Sequence, residues 1–153
     1  NVTPEQIDYV YITHFHGDHI GGMLNADGEK VFTNAEVYVS RLEKESDLGK
    51  GEQAVKMFEK YGDKIHVFNF GDKLPEDVLA IDAVGHTPGH TAFQKGNLLI
   101  IGDLMHALAL QLKYPEYCPN FDGDKEKAIA SRKRILEYAK TNGCTISGMH
   151  LPY

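Results

Sequence analysis

ITHFHGDHIGG, residues 12–22, places His14, His16, Asp18 and His19 within six positions, between an apolar run and a pair of glycines. The preceding YVYIT, residues 9–13, is rich in β-branched and aromatic side chains and reads as a short strand. A strand end holds the following loop in place. Gly17 is expected to let the backbone turn sharply there, so that the four polar side chains converge. Imidazole suits zinc, and imidazole mixed with carboxylate also suits iron, manganese or cobalt. Four groups from one loop do not complete the shells of two ions, so the pattern asks for His or Asp from distant segments. Three are present, each after an apolar run: His90 in GHTPGHT, Asp103 in IIGDL and His150 in SGMHLPY.

The rest of the sequence bounds what such a site can serve. With 153 residues, 42% hydrophobic and 25% charged, the chain has the composition of one folded domain, residues 1–153. A formal charge of -6 opposes long-range attraction to nucleic acid or to an anionic membrane, so neither is expected as a partner. No apolar run nears the roughly 18 residues of a membrane span, and no basic-then-apolar leader opens the chain. The reading is of a soluble protein, cytoplasmic or periplasmic, with any leader lying outside this chain. Cys118 and Cys144 lack metal or redox spacing and read as ordinary thiols.

Further elements place the other ligand candidates at strand ends. Thr3 before Pro4 predicts a short helix through about Ile7. EVYVS (36–40), KIHVFNF (64–70) and DVLAIDAV (77–84) read as strands, and 52–60 as a helix closed by Gly62. TAFQKGNLLIIGD predicts a hairpin turning at Gly96-Asn97. Asp124 is placed to cap a helix with Ala128, Ile129, Arg132, Ile135, Leu136 and Ala139 along one side, ending near Gly143. Lys125, Lys127, Arg132, Lys133 and Arg134 are expected on or beside its solvated face. CTISG (144–148) is a last strand, and Leu104–Pro119 a long irregular stretch.

His14-x-His16-x-Asp18-His19, followed by TPGHT, a Gly-Asp pair and a late Gly-x-His, resembles the metallo-β-lactamase-fold hydrolases, with the segments in order from Ile12 to His150. The resemblance implies an α/β (α+β) fold, a four-layer αββα sandwich with the site at one edge of two sheets. It implies that His14, His16 and His90 hold one metal, that Asp18, His19 and His150 hold the other, and that Asp103 bridges them. His86 competes with His90 for the same ligand role, and whichever is not the ligand is expected to brace the loop; His106 is expected to be structural or to touch substrate, while His66 lies at the surface. Tyr114 and Tyr117 are expected to pack the long stretch down. Family members carry several strands before the first motif, so the N-terminal sheet is expected to be partly missing here. The exposed edge would then be covered by a partner, a second copy of the chain among them.

The implied chemistry is binuclear metal-dependent hydrolysis. Hydroxide formed between two divalent ions, zinc first and Mn2+, Fe2+ or Co2+ otherwise, attacks an ester, lactone or phosphotriester, with Asp18 orienting it and passing a proton. Asp103 resembles the bridging aspartate of lactonases, and GDLMHALALQ with GMHLPY looks most like the lactonase and methyl-parathion-hydrolase branch. Two alternatives stand beside this one. A diiron-type oxidoreductase of the same fold typically has glutamate where this chain has His16, and a non-catalytic metal-binding fragment would keep the ligands without a substrate pocket.

Overall fold

A computed structural model describes residues 2–152, which divide between Asn69 and Phe70 into two compact units. The first unit is built on three short parallel strands, β1 (Tyr9–Tyr11), β2 (Glu36–Ser40) and β3 (Ile65–Phe68), in the order β1-β2-β3. Alternation along β2 buries Val37 and Val39 completely and turns Tyr38 to the other face. Burying each valine is worth about 1.5–3 kcal/mol. Those valines pack with Ala54, Met57 and Tyr61, which recur at helical spacing along α3 (Glu52–Tyr61). The helix stops at Gly62, whose φ of 57° is a conformation glycine adopts at little cost. Tyr61 then ties α3 to the segment after the histidines: its hydroxyl donates to the Met23 carbonyl (3.0 Å) and accepts from the Phe32 amide (3.2 Å). Two shorter helices, α1 (Gly17–Ile20) and α2 (Arg41–Glu45), complete this unit with two 3-10 turns, and the expected N-terminal helix is a third such turn, Pro4–Gln6.

The second unit has four strands, β4 (Leu79–Asp82), β5 (Thr91–Lys95), β6 (Leu98–Ile100) and β7 (Thr145–Ser147), ordered β4-β5-β6-β7. The first two pairings are antiparallel and β6 to β7 is parallel. The hairpin turns at Gly96, φ 58°. Ala92, Leu99 and Ile101 of this sheet region form a core with Ile135 and Ala139 of α5 (Lys125–Thr141). Asp124 caps α5 through the Lys127 amide, at 3.1 Å.

Two features depart from the sequence reading. Leu104–Pro119 is not wholly irregular, because α4 (Leu108–Lys113) forms inside it from helix-favouring residues. Its Gln111 side chain is buried, accepts the amides of His106 (2.7 Å) and Ala107 (2.9 Å) and donates to Tyr117 O (2.9 Å), which laces the stretch together. Arg132 does not lie on the solvated side of α5. It is 1% exposed, because carbonyl oxygens and a carboxylate surround its guanidinium.

Candidate metal centre

In the first unit, the Ile12 amide donates to Tyr38 O (3.0 Å), so sheet pairing continues one residue past β1 toward His14. Phe15 then pins the chain twice. Its amide donates to the buried Glu43 carboxylate at 3.0 Å, and its ring packs edge-on against Phe58, 5.5 Å between centroids. His14 and His16, on either side of that anchor, come together with His14 Nε2 3.1 Å from His16 Nδ1. The His16 carbonyl accepts the amides of His19 (3.0 Å) and Ile20 (3.2 Å), opening α1, and this turn brings the His19 ring to 4.0 Å from that of His14. Gly17 does not take a left-handed φ, and a Cβ there would meet the end of the Gln53 side chain, Oε1, at 3.2 Å. His14 is fully buried, whereas the Asp18 side chain is 61% exposed, 3.6 Å from His19 Nε2. The site therefore has a buried floor and one accessible carboxylate.

In the second unit the focus is Asp103, just past β6 and 3% exposed. Three imidazoles stand around its Oδ2: His106 Nε2 at 3.1 Å, His86 Nε2 at 3.3 Å and His150 Nε2 at 3.3 Å. Of the residues expected there, the structure brings Asp103 and His150 together directly. His90 lies beside Asp103 but faces its backbone, accepting the Asp103 amide on Nε2 at 3.0 Å. His90 Nδ1 faces the Ala83 carbonyl at 2.9 Å and must donate to it, which leaves the lone pair on Nε2, the tautomer a metal ligand needs. His86 Nδ1 faces Asp122 Oδ1 at 2.9 Å. Burial by itself would lower the His86 pKa, but the carboxylates of Asp103 and Asp122 outweigh it and raise it to about 9.

The donor spacing fits a cation. Ligands on one tetrahedral ion at about 2.0–2.1 Å stand about 3.3 Å from one another. Nitrogen and oxygen lone pairs approach to 3.1–3.3 Å only with a cation or a proton between them, and within each unit the contacts around Asp103 and between His14 and His16 have that separation. The donor chemistry, imidazole and carboxylate without thiolate, is that of zinc and its divalent neighbours.

Glu43 and Asp122 were not singled out from sequence. Glu43 braces the first loop; its signal was the Ser40-x-x-Glu43 spacing of a helix start, with Ser40 Oγ accepting the Glu43 amide at 3.1 Å. His106 proves to touch Asp103. Its ring is stacked 4.9 Å from His150 and edge-on to Phe121, and its Nδ1 is buried with no hydrogen-bond partner among the described residues. Asp122 had no local signal at all. His66 is part-exposed and pairs with Glu36, consistent with a surface position.

The chain matches the family model of the metallo-beta-lactamase superfamily over residues 1–140. It is 29% identical to the uncharacterized protein YobT of Bacillus subtilis, covering 91% of this chain and 66% of that protein. It is 26% identical to an N-acyl homoserine lactonase of Bacillus thuringiensis, covering 90% of this chain and 53% of that enzyme. The crystal structure of the hydrolase AbOPH, described as in the beta lactamase superfamily, superposes with a TM-score of 0.84 at 29% identity, over 99% of this chain and 60% of that one. The chain thus spans from about half to two thirds of the length of these relatives.

Proposed function

Because the chain belongs to the metallo-β-lactamase superfamily, we propose that it is the ligand-bearing part of a binuclear metal-dependent hydrolase acting on a small ester, lactone or phosphotriester. The observation that carries this reading is Asp103, a buried carboxylate with three imidazole nitrogens 3.1–3.3 Å from one oxygen. His14 and His16 are assigned to one ion with His90, or in its place His86, whose Nε2 already faces the Asp103 carboxylate; Asp18, His19 and His150 are assigned to the other, and Asp103 to both. Two divalent ions, zinc in the first place, would supply Lewis acidity toward the carbonyl or phosphoryl oxygen and ease ionisation of water. Manganese, iron and cobalt suit the same donors.

The chain's own residues supply the rest. Asp18, the one exposed carboxylate of the first loop, orients the attacking water and takes its proton. Glu43 and Phe15 hold that loop so that His14 and His16 keep their spacing. Ligation by His90 requires its Nε2 to exchange the Asp103 amide for the ion. A lactone ranks first among the three substrate classes because the lactonase of Bacillus thuringiensis aligns over most of this chain.

The test of function is turnover of an N-acyl homoserine lactone, a phenyl ester and a phosphotriester by the full chain after metal removal and reconstitution. Metal-dependent hydrolysis of one of them, lost in Asp103→Asn, is the expected outcome. Equal rates with and without metal would refute the reading.

A further inference from the structure

Beneath Asp103 the second unit contains a connected set of buried charged groups, of which Asp122 and Arg132 have no part in the hydrolytic chemistry proposed above. His86 joins two carboxylates, with Nε2 3.3 Å from Asp103 Oδ2 and Nδ1 2.9 Å from Asp122 Oδ1. Asp122 is in turn held by Arg132, whose Nη2 lies 3.3 Å from Asp122 Oδ2. The side chains of His86, Asp122 and Arg132 are 2%, 0% and 1% exposed, so water cannot substitute for any partner. We propose that Asp122, fixed by Arg132, is a positioning residue for the metal centre, acting through His86 on the carboxylate of Asp103. This inference rests on the reading of Asp103 as a metal ligand.

Three observations carry it. A carboxylate on the remote nitrogen of an imidazole fixes both the tautomer and the plane of the ring, and such outer partners tune the ligand they support. Here that imidazole abuts the oxygen on which His106 and His150 also converge, so a rotation of His86 is felt at the shared ligand. Arg132 also clasps both ends of the segment between Asp103 and Asp122. Its Nε donates to Leu104 O at 2.7 Å, and its Nη1 donates to Pro115 O at 2.7 Å and Tyr117 O at 3.1 Å. The planar fork of a guanidinium can bridge these points at once, which an ammonium cannot. One rigid helix, α5, thereby sets where Asp122 sits and where the chain leaves Asp103.

The experiment measures zinc affinity of the full chain by chelator competition, with the visible spectrum of the cobalt-substituted protein as a second readout and apo-protein thermal melting to report folding. Asp122→Asn is expected to weaken zinc about 10–100-fold and to shift the cobalt bands. In a His86→Gln background the same substitution should cost less than about twofold, because two residues acting along one path are not additive. Arg132→Lys keeps the buried charge without the fork and should weaken zinc in the same direction by less. An Asp122→Asn protein that melts lower but binds zinc with unchanged affinity and spectrum would overturn the proposal, as would losses that multiply in the double variant. A wild-type protein that takes up no zinc would overturn the metal-centre reading itself, and this inference with it.

Discussion

Asp103 and Asp18 are both carboxylates of one proposed site, yet their surroundings assign them different work. Asp103 is buried among imidazoles, so replacing it removes the carboxylate oxygen on which three of them converge. Asp18 is open to solvent, so Asp18→Asn should leave the fold intact and lower kcat of the reconstituted enzyme about 100-fold or more, with a smaller change in KM. An unchanged kcat with both ions bound would remove its role. Gly85 is a second residue fixed by its surroundings: at φ 132°, an added Cβ would sit 2.1 Å from the Ala128 amide nitrogen of α5. Gly85→Ala should therefore destabilise the protein by about 3 kcal/mol or more, seen as a large drop in the denaturant midpoint. His14, His16, Asp18 and His19 were legible because their grouping is local. His86 with Asp122 was not, because the partners are 36 positions apart and neither has a periodicity that announces the other.

At the scale of elements, the first site loop is held by its neighbours more than by its own conformation. The end of β1 aims it, α2 offers Glu43 to the Phe15 amide, and α3 supplies Phe58 and Gln53 against Phe15 and Gly17. Glu43→Ala leaves that amide buried without its acceptor, a loss of about 1–3 kcal/mol, whereas Ser40→Ala loses a helix cap, about 1 kcal/mol. Urea unfolding monitored by circular dichroism should rank the two in that order; equal effects would mean that Glu43 serves only α2. Strands β2, β5 and β6 and helices α3 and α5 were readable from period and turn residues. Helix α4 was not, because its six residues are too few to show a period and Gln111 is fixed by contacts outside the helix. Arg132 was legible as part of the α5 stripe, but its complete burial was not, because a charged residue is expected on or beside the solvated face unless its partners are known.

For the molecule as a whole, each compact unit carries part of the proposed ligand set, His14, His16, Asp18 and His19 in one and His90, Asp103 and His150 in the other. Elemental analysis of the purified full chain decides whether it binds a pair of divalent ions. Two ions per chain are expected, falling to one or fewer in Asp103→Asn; fewer than one ion per wild-type chain, or two retained by that variant, would rule the metal-centre reading out.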